Sequence, residues 1–220
     1  MAFSEPDWLV AARRRPRLRG VIHQYAFFVS LVLGVALVAG ADGGRARTGA
    51  AVFAACVSAM LGISALYHRV VWAPAPRRWM RRLDHAAIFL LIAGTYTPFG
   101  LVTLEGAWRI AVLSIVWSGA AAALILKVAW VDAPRWVAAV IAVALGWIGV
   151  VVLPQLHADA GSVGLALLAV GGLLYTAGAV VYARRRPDPV PHVFGYHEVF
   201  HVLVVAAAAC QYGSVAFVVL

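Results

Sequence analysis

Charge is what this sequence has least of. Only 12% of its 220 residues are Asp, Glu, Lys or Arg, about half the share that a soluble domain needs to keep its surface in water. A water-soluble globule is excluded on that ground. Cysteine is also scarce: Cys56 and Cys210 are the only two, and each lies inside an apolar run. This excludes a disulfide framework and a thiolate metal site. Acidic residues are outnumbered, nine against eighteen Lys and Arg. The excess positive charge flanks apolar runs, so it points to membrane topology and anionic headgroups, with no nucleic-acid partner.

What is present in quantity is apolar sequence, 64% of the chain. It falls into seven runs, at about 21–39, 48–70, 83–103, 107–128, 136–153, 164–182 and 196–217. At a rise of 1.5 Å per residue, runs of this length cross a hydrocarbon core of roughly 30 Å. Backbone polar groups must be paired internally in lipid, so each run is read as a helix. The expectation is an all-α integral membrane bundle of seven helices, with a basic tail at 1–20 and the transmembrane domain at 21–220. The first run follows basic residues but lacks a small-residue cleavage site, so it is kept as a membrane helix rather than a signal peptide. The connectors, at 41–46, 73–82, 131–135, 155–161 and 184–194, hold most of the Pro, Asp and Arg. The tail carries Trp8, Arg13 and Arg14.

Orientation follows from the basic residues. With the N-terminus in the cytoplasm, fifteen Lys and Arg fall inside and only Arg45, Arg47 and Arg109 outside. That asymmetry predicts a cytoplasmic N-terminus and an external C-terminus, in a bacterial inner membrane.

Ionisable groups at membrane depth are costly and suggest function. Here they are His68 at the end of the second run, Asp84 and His85 at the start of the third, and His197, Glu198 and His201 at the start of the seventh. By the topology above, all of them reach the cytoplasmic leaflet. His197 and His201 are four apart and share a helix face, a spacing that lets two imidazoles bind one zinc ion. Ser64 and His68 have the same spacing. A third ligand from His68 would complete a three-histidine site with an open position, the pattern of catalytic zinc. Asp84 would then orient a ligand or a water. The competing reading is that these histidines are polar packing residues at helix ends. His23, His85, His157 and His192 are read that way.

Residues 197–201 also match the H-E-x-x-H pattern of zinc proteases. Glu198 lies about 100° around the helix from His197, and a structural role for it is preferred. The run Ala93-Gly94-Thr95-Tyr96-Thr97-Pro98-Phe99 reads as a Pro-kinked helix whose Thr hydroxyls satisfy carbonyls freed by Pro98, or as a segment that opens a cavity beside the polar cluster.

Three segments together resemble the hemolysin III family, the bacterial branch of the progestin and adipoQ receptor family. They are Ser64-Ala65-Leu66-Tyr67-His68, then Arg82-Leu83-Asp84-His85 with the 93–99 run, and Gly195-Tyr196-His197-Glu198-Val199-Phe200-His201. The resemblance extends over nearly the whole chain from about residue 15. It implies a seven-helix bundle in a superfamily that includes alkaline ceramidases. It also implies zinc held by His68, His197 and His201, with Ser64 and Asp84 beside it. The function so expected is zinc-dependent hydrolysis of an amide or ester bond in a lipid-like substrate. The alternatives are a receptor stabilised by zinc and a membrane-lytic, pore-type protein.

Overall fold

The computed structural model describes residues 15–220, so Trp8, Arg13 and Arg14 of the expected tail lie outside the described residues. Among the described residues, seven helices are long and apolar enough to cross a membrane. We number the helical segments α1 (Val21–Gly40), α2 (Gly43–Arg69), α3 (Pro74–Val102), α4 (Gly106–Ala129), α5 (Arg135–Gly146), α6 (Leu153–Arg184) and α7 (Tyr196–Val219). A 3-10 segment, Ile148–Val152, joins α5 to α6. The fifth crossing runs through it, over Arg135–His157, and the sixth covers Asp159–Arg184. The chain is a multi-pass membrane protein.

The bundle packs mainly between sequence neighbours, most extensively α6 on α7 and α2 on α3. Small residues permit the close α2–α3 approach: a Cβ on Gly94 would fall 2.5 Å from that of Cys56, and one on Gly49 would fall 2.7 Å from the Pro98 Cα. This is how membrane helices gain contact where the lipid is as apolar as their own side chains. Tyr25, Phe28, Val32 and Val35 of α1 are exposed, as expected of a face turned to lipid. Both cysteines are free.

The helices differ from the expected runs where physics other than hydropathy decides. The 73–82 stretch, expected as a connector, is helical from Pro74. Proline suits the first turn of a helix and arginine is a good helix former, so α3 starts nine residues early. At 29 residues it exceeds what the hydrocarbon core requires, and Arg77, Arg78, Arg81 and Arg82 occupy the extension. The 155–161 connector is also largely helical. It turns at Gly161, whose φ of 63° and ψ of −178° lie in a region open essentially to glycine alone.

The fifth crossing is broken, and α3 repairs the break. The Tyr96 hydroxyl donates to the Gly146 carbonyl at 2.7 Å and accepts from the Gly149 N–H at 2.7 Å. Backbone groups that leave the helical ladder inside a membrane need such a partner. The Thr hydroxyls next to Tyr96 serve otherwise than expected. Thr95 and Thr97 bond the Leu91 and Ala93 carbonyls, whereas the carbonyl that Pro98 leaves free belongs to Gly94.

Candidate metal centre

One end of the bundle gathers the end of α2, the starts of α1, α3 and α7, and the polar side chains they carry. His68, in the last turn of α2, faces His197 and His201, one turn apart on α7. One ring nitrogen from each of the three lies within 4.8 Å of the other two. The Nε2 atoms of His68 and His197 are 3.1 Å apart. Tetrahedral zinc with nitrogen ligands at about 2.0–2.1 Å spaces those nitrogens by roughly 3.3 Å, so the trio can hold a metal ion with little movement. His201 is 2% exposed and His197 9%. An all-imidazole, neutral donor set suits zinc and its first-row neighbours rather than calcium or magnesium.

Asp84, at the level where α3 enters the bundle, places Oδ2 3.8 Å from the His68 Nε2. That puts its carboxylate beside the trio, within reach of His68 through one water. Ser64, one turn before His68, lies against Asp84 and is itself buried. The expected site residues Ser64, His68, Asp84, His197 and His201 are therefore in one place. His157 and His192 are exposed and apart from it.

Two residues have different roles from those the sequence suggested. His23 was expected at the interface but is buried, 2% exposed. Its Nδ1 is 2.9 Å from the Ser64 Oγ, and its ring stacks on His201 with centroids 3.7 Å apart and planes 6° from parallel. The signal was available, because α1 begins at the end where α3 and α7 begin. His85 also leaves the interface: it lines the cavity described below, and its Nδ1 is buried without a partner.

Glu198 has the structural role expected of it. It is 1% exposed, its Oε2 accepts from the Gly195 N–H at 2.8 Å, and its Oε1 lies 2.7 Å from the Arg19 Nε. The first contact caps α7. The second is an ion pair that brings the segment before α1 onto α7. Backbone bonds from Arg17 and Leu18 to the His192 and Val193 carbonyls extend this docking. Gly20 completes it. Its φ is 77°, and any Cβ would sit 2.6 Å from that of His68, so glycine lets α1 start against the histidines.

From the cluster a cavity of about 230 Å³ leads into the bundle. Ser64, Asp84, His85, His197 and His201 line its polar end, and Tyr182 and Phe200 stand beside them. Farther in, it is walled by Ile92, Phe99, Leu156, Leu168 and other apolar side chains. Thr95, Tyr96 and Phe99 of the Pro98 region contribute to the wall. The arrangement joins a convergent set of imidazole, carboxyl and hydroxyl groups to a largely apolar space.

A family model described as Haemolysin-III related matches residues 11–212. Among curated proteins, the chain is similar to the Hemolysin-3 homolog of Bacillus subtilis (strain 168), 33% identical over 135 residues, which are 61% of each chain. It is likewise similar to Hemolysin-3 of Bacillus cereus, 35% identical over 138 residues, or 63% of this chain and 60% of that one. The matched stretch thus spans about three fifths of the length of these relatives.

Proposed function

This chain belongs to the Haemolysin-III related family, and on that premise we propose that it is a zinc-dependent hydrolase acting on an amide or ester bond of a lipid-like substrate. The observation that carries the reading is the juxtaposition of three imidazole nitrogens within 4.8 Å with Asp84 at the polar end of a largely apolar cavity. The excess of arginine at this end of the bundle supports a site at the cytoplasmic leaflet of the bacterial inner membrane, with the N-terminus inside. Residues 1–20 are then a basic tail on the domain 21–220.

His68, His197 and His201 hold the metal. When bound, zinc acts as a Lewis acid that polarises a carbonyl and acidifies water. Asp84 takes the proton of the attacking water and returns it to the leaving nitrogen or oxygen, so the C–N or C–O bond breaks without a free charge in the cavity. Ser64 holds Asp84 in position or donates to the developing oxyanion. His23 fixes Ser64 through the bond to its Oγ. The apolar wall receives the acyl chain.

The same histidines tie α2 to α7, which favours a second reading: a receptor in which the metal is structural. Asp84 separates the two. Asp84→Asn should lower turnover of amide- and ester-linked lipid probes by at least about a hundredfold while leaving metal content and melting temperature near native. Native protein that hydrolyses none of these probes, or an Asp84→Asn variant as active as native, would remove the hydrolase reading. A membrane-lytic pore ranks last, because the cavity walls are too apolar for a hydrated passage.

A further inference from the structure

The far part of the cavity has polar atoms that nothing among the described residues satisfies. Gln211 of α7 is 5% exposed. Its Nε2 donates to the Leu168 carbonyl at 3.3 Å. A carbonyl only accepts, so this bond fixes which end of the amide faces α6. A Cβ on Gly171 would fall 2.6 Å from that Nε2, so a glycine there lets the amide come this close. The other end, Oε1, is buried and has no partner. The Tyr175 hydroxyl on α6 is also buried without a partner. Both side chains line the cavity. Thr176, a further polar lining residue of α6, is engaged: it donates to the Gly172 carbonyl and accepts from Trp147.

Buried polar atoms in a water-poor place need a partner. Gln211 offers an acceptor, and Tyr175 can donate or accept. A hydroxyl can answer either, donating to the Gln211 Oε1 or exchanging a bond with the Tyr175 hydroxyl. Gln211 lies ten residues beyond His201 on α7, roughly 15 Å deeper along the helix axis. It shares a helix face with His197 and Val204, at steps of seven residues.

We infer that the cavity selects a lipid-like molecule with a hydroxyl on its chain, held by Gln211 at a depth of about 15 Å from His201, with Tyr175 of α6 as a further polar partner in the cavity wall. This rests on reading the cavity as the seat of a lipid-like substrate. It does not depend on which bond is cleaved or on whether metal is bound.

The test is competition against radiolabelled octadecanoate on the full chain in lipid nanodiscs, with octadecanoate and 12-hydroxyoctadecanoate as competitors. The hydroxylated chain should compete about five- to tenfold better on the native protein, in line with a net hydrogen bond. Gln211→Leu should abolish that preference while still binding octadecanoate, which shows that it is folded. Tyr175→Phe should reduce the preference. Equal competition on the native protein, a preference that survives Gln211→Leu, or no binding of either chain would overturn the inference. The His197→Ala/His201→Ala protein separates this inference from the hydrolase reading. It should lose metal and turnover and keep the hydroxyl preference.

Discussion

A buried imidazole with one nitrogen bonded and one face stacked has little freedom to turn, and His23 is such a group. It reaches Ser64 on α2 and His201 on α7 at once, so a side chain of α1 sets the orientation of groups on two other helices. Partners that orient a metal ligand commonly change affinity by ten- to a hundredfold when removed. His23→Ala should therefore weaken zinc binding by about that factor, measured by competition with a chromophoric chelator. His23→Phe keeps an aromatic ring over His201 and should lose less. Native affinity in His23→Ala would reduce His23 to packing. Glu198 shows the opposite case. The H-E-x-x-H pattern suggested a base, yet its carboxylate is fully occupied by the Gly195 N–H and Arg19. Its position in sequence resembles a protease, while its partners make it a cap and a tether.

At the scale of elements, the fifth crossing is the one that hydropathy misdescribes. An apolar run from 136 to 153 reads as one continuous helix, but α5 stops at Gly146 and a 3-10 segment follows. The break depends on a hydroxyl from α3, two helices earlier, and no periodicity within the run records that. The Tyr96 hydroxyl joins the Gly146 carbonyl to the Gly149 N–H. Tyr96→Phe removes both bonds at a half-buried site in the membrane and should cost about 1–3 kcal/mol, read as a lowered melting temperature in detergent. An unchanged melting temperature would mean that the break is held by packing alone. The early start of α3 escaped the hydropathy reading for a related reason: arginines end an apolar run but do not end a helix.

At the scale of the molecule, the seven crossings were legible because a membrane leaves few choices. A run of about twenty apolar residues must be a helix, and seven such runs make the bundle. The cluster of His68, Asp84, His197 and His201 was legible too, because alternating crossings bring the end of α2 and the starts of α3 and α7 to one side. The same logic would have brought in His23, had the start of α1 been weighed with the others. Of the cavity, only the part beside the Pro98 run was legible. Its walls come from several helices, and apolar residues that line a space look like those that fill one. The unsatisfied Gln211 Oε1 and Tyr175 hydroxyl became visible only once their surroundings were known.

The central claim is that His68, His197 and His201 form one metal site, and metal content tests it most directly. Elemental analysis of detergent-purified protein should find about one zinc per chain in the native form. The His197→Ala/His201→Ala variant should lose it, and Asp84→Ala should largely keep it, since the three imidazoles that would hold the ion remain. Folded native protein that holds no metal after zinc is resupplied would contradict the account and leave the three imidazoles as polar packing between α2 and α7.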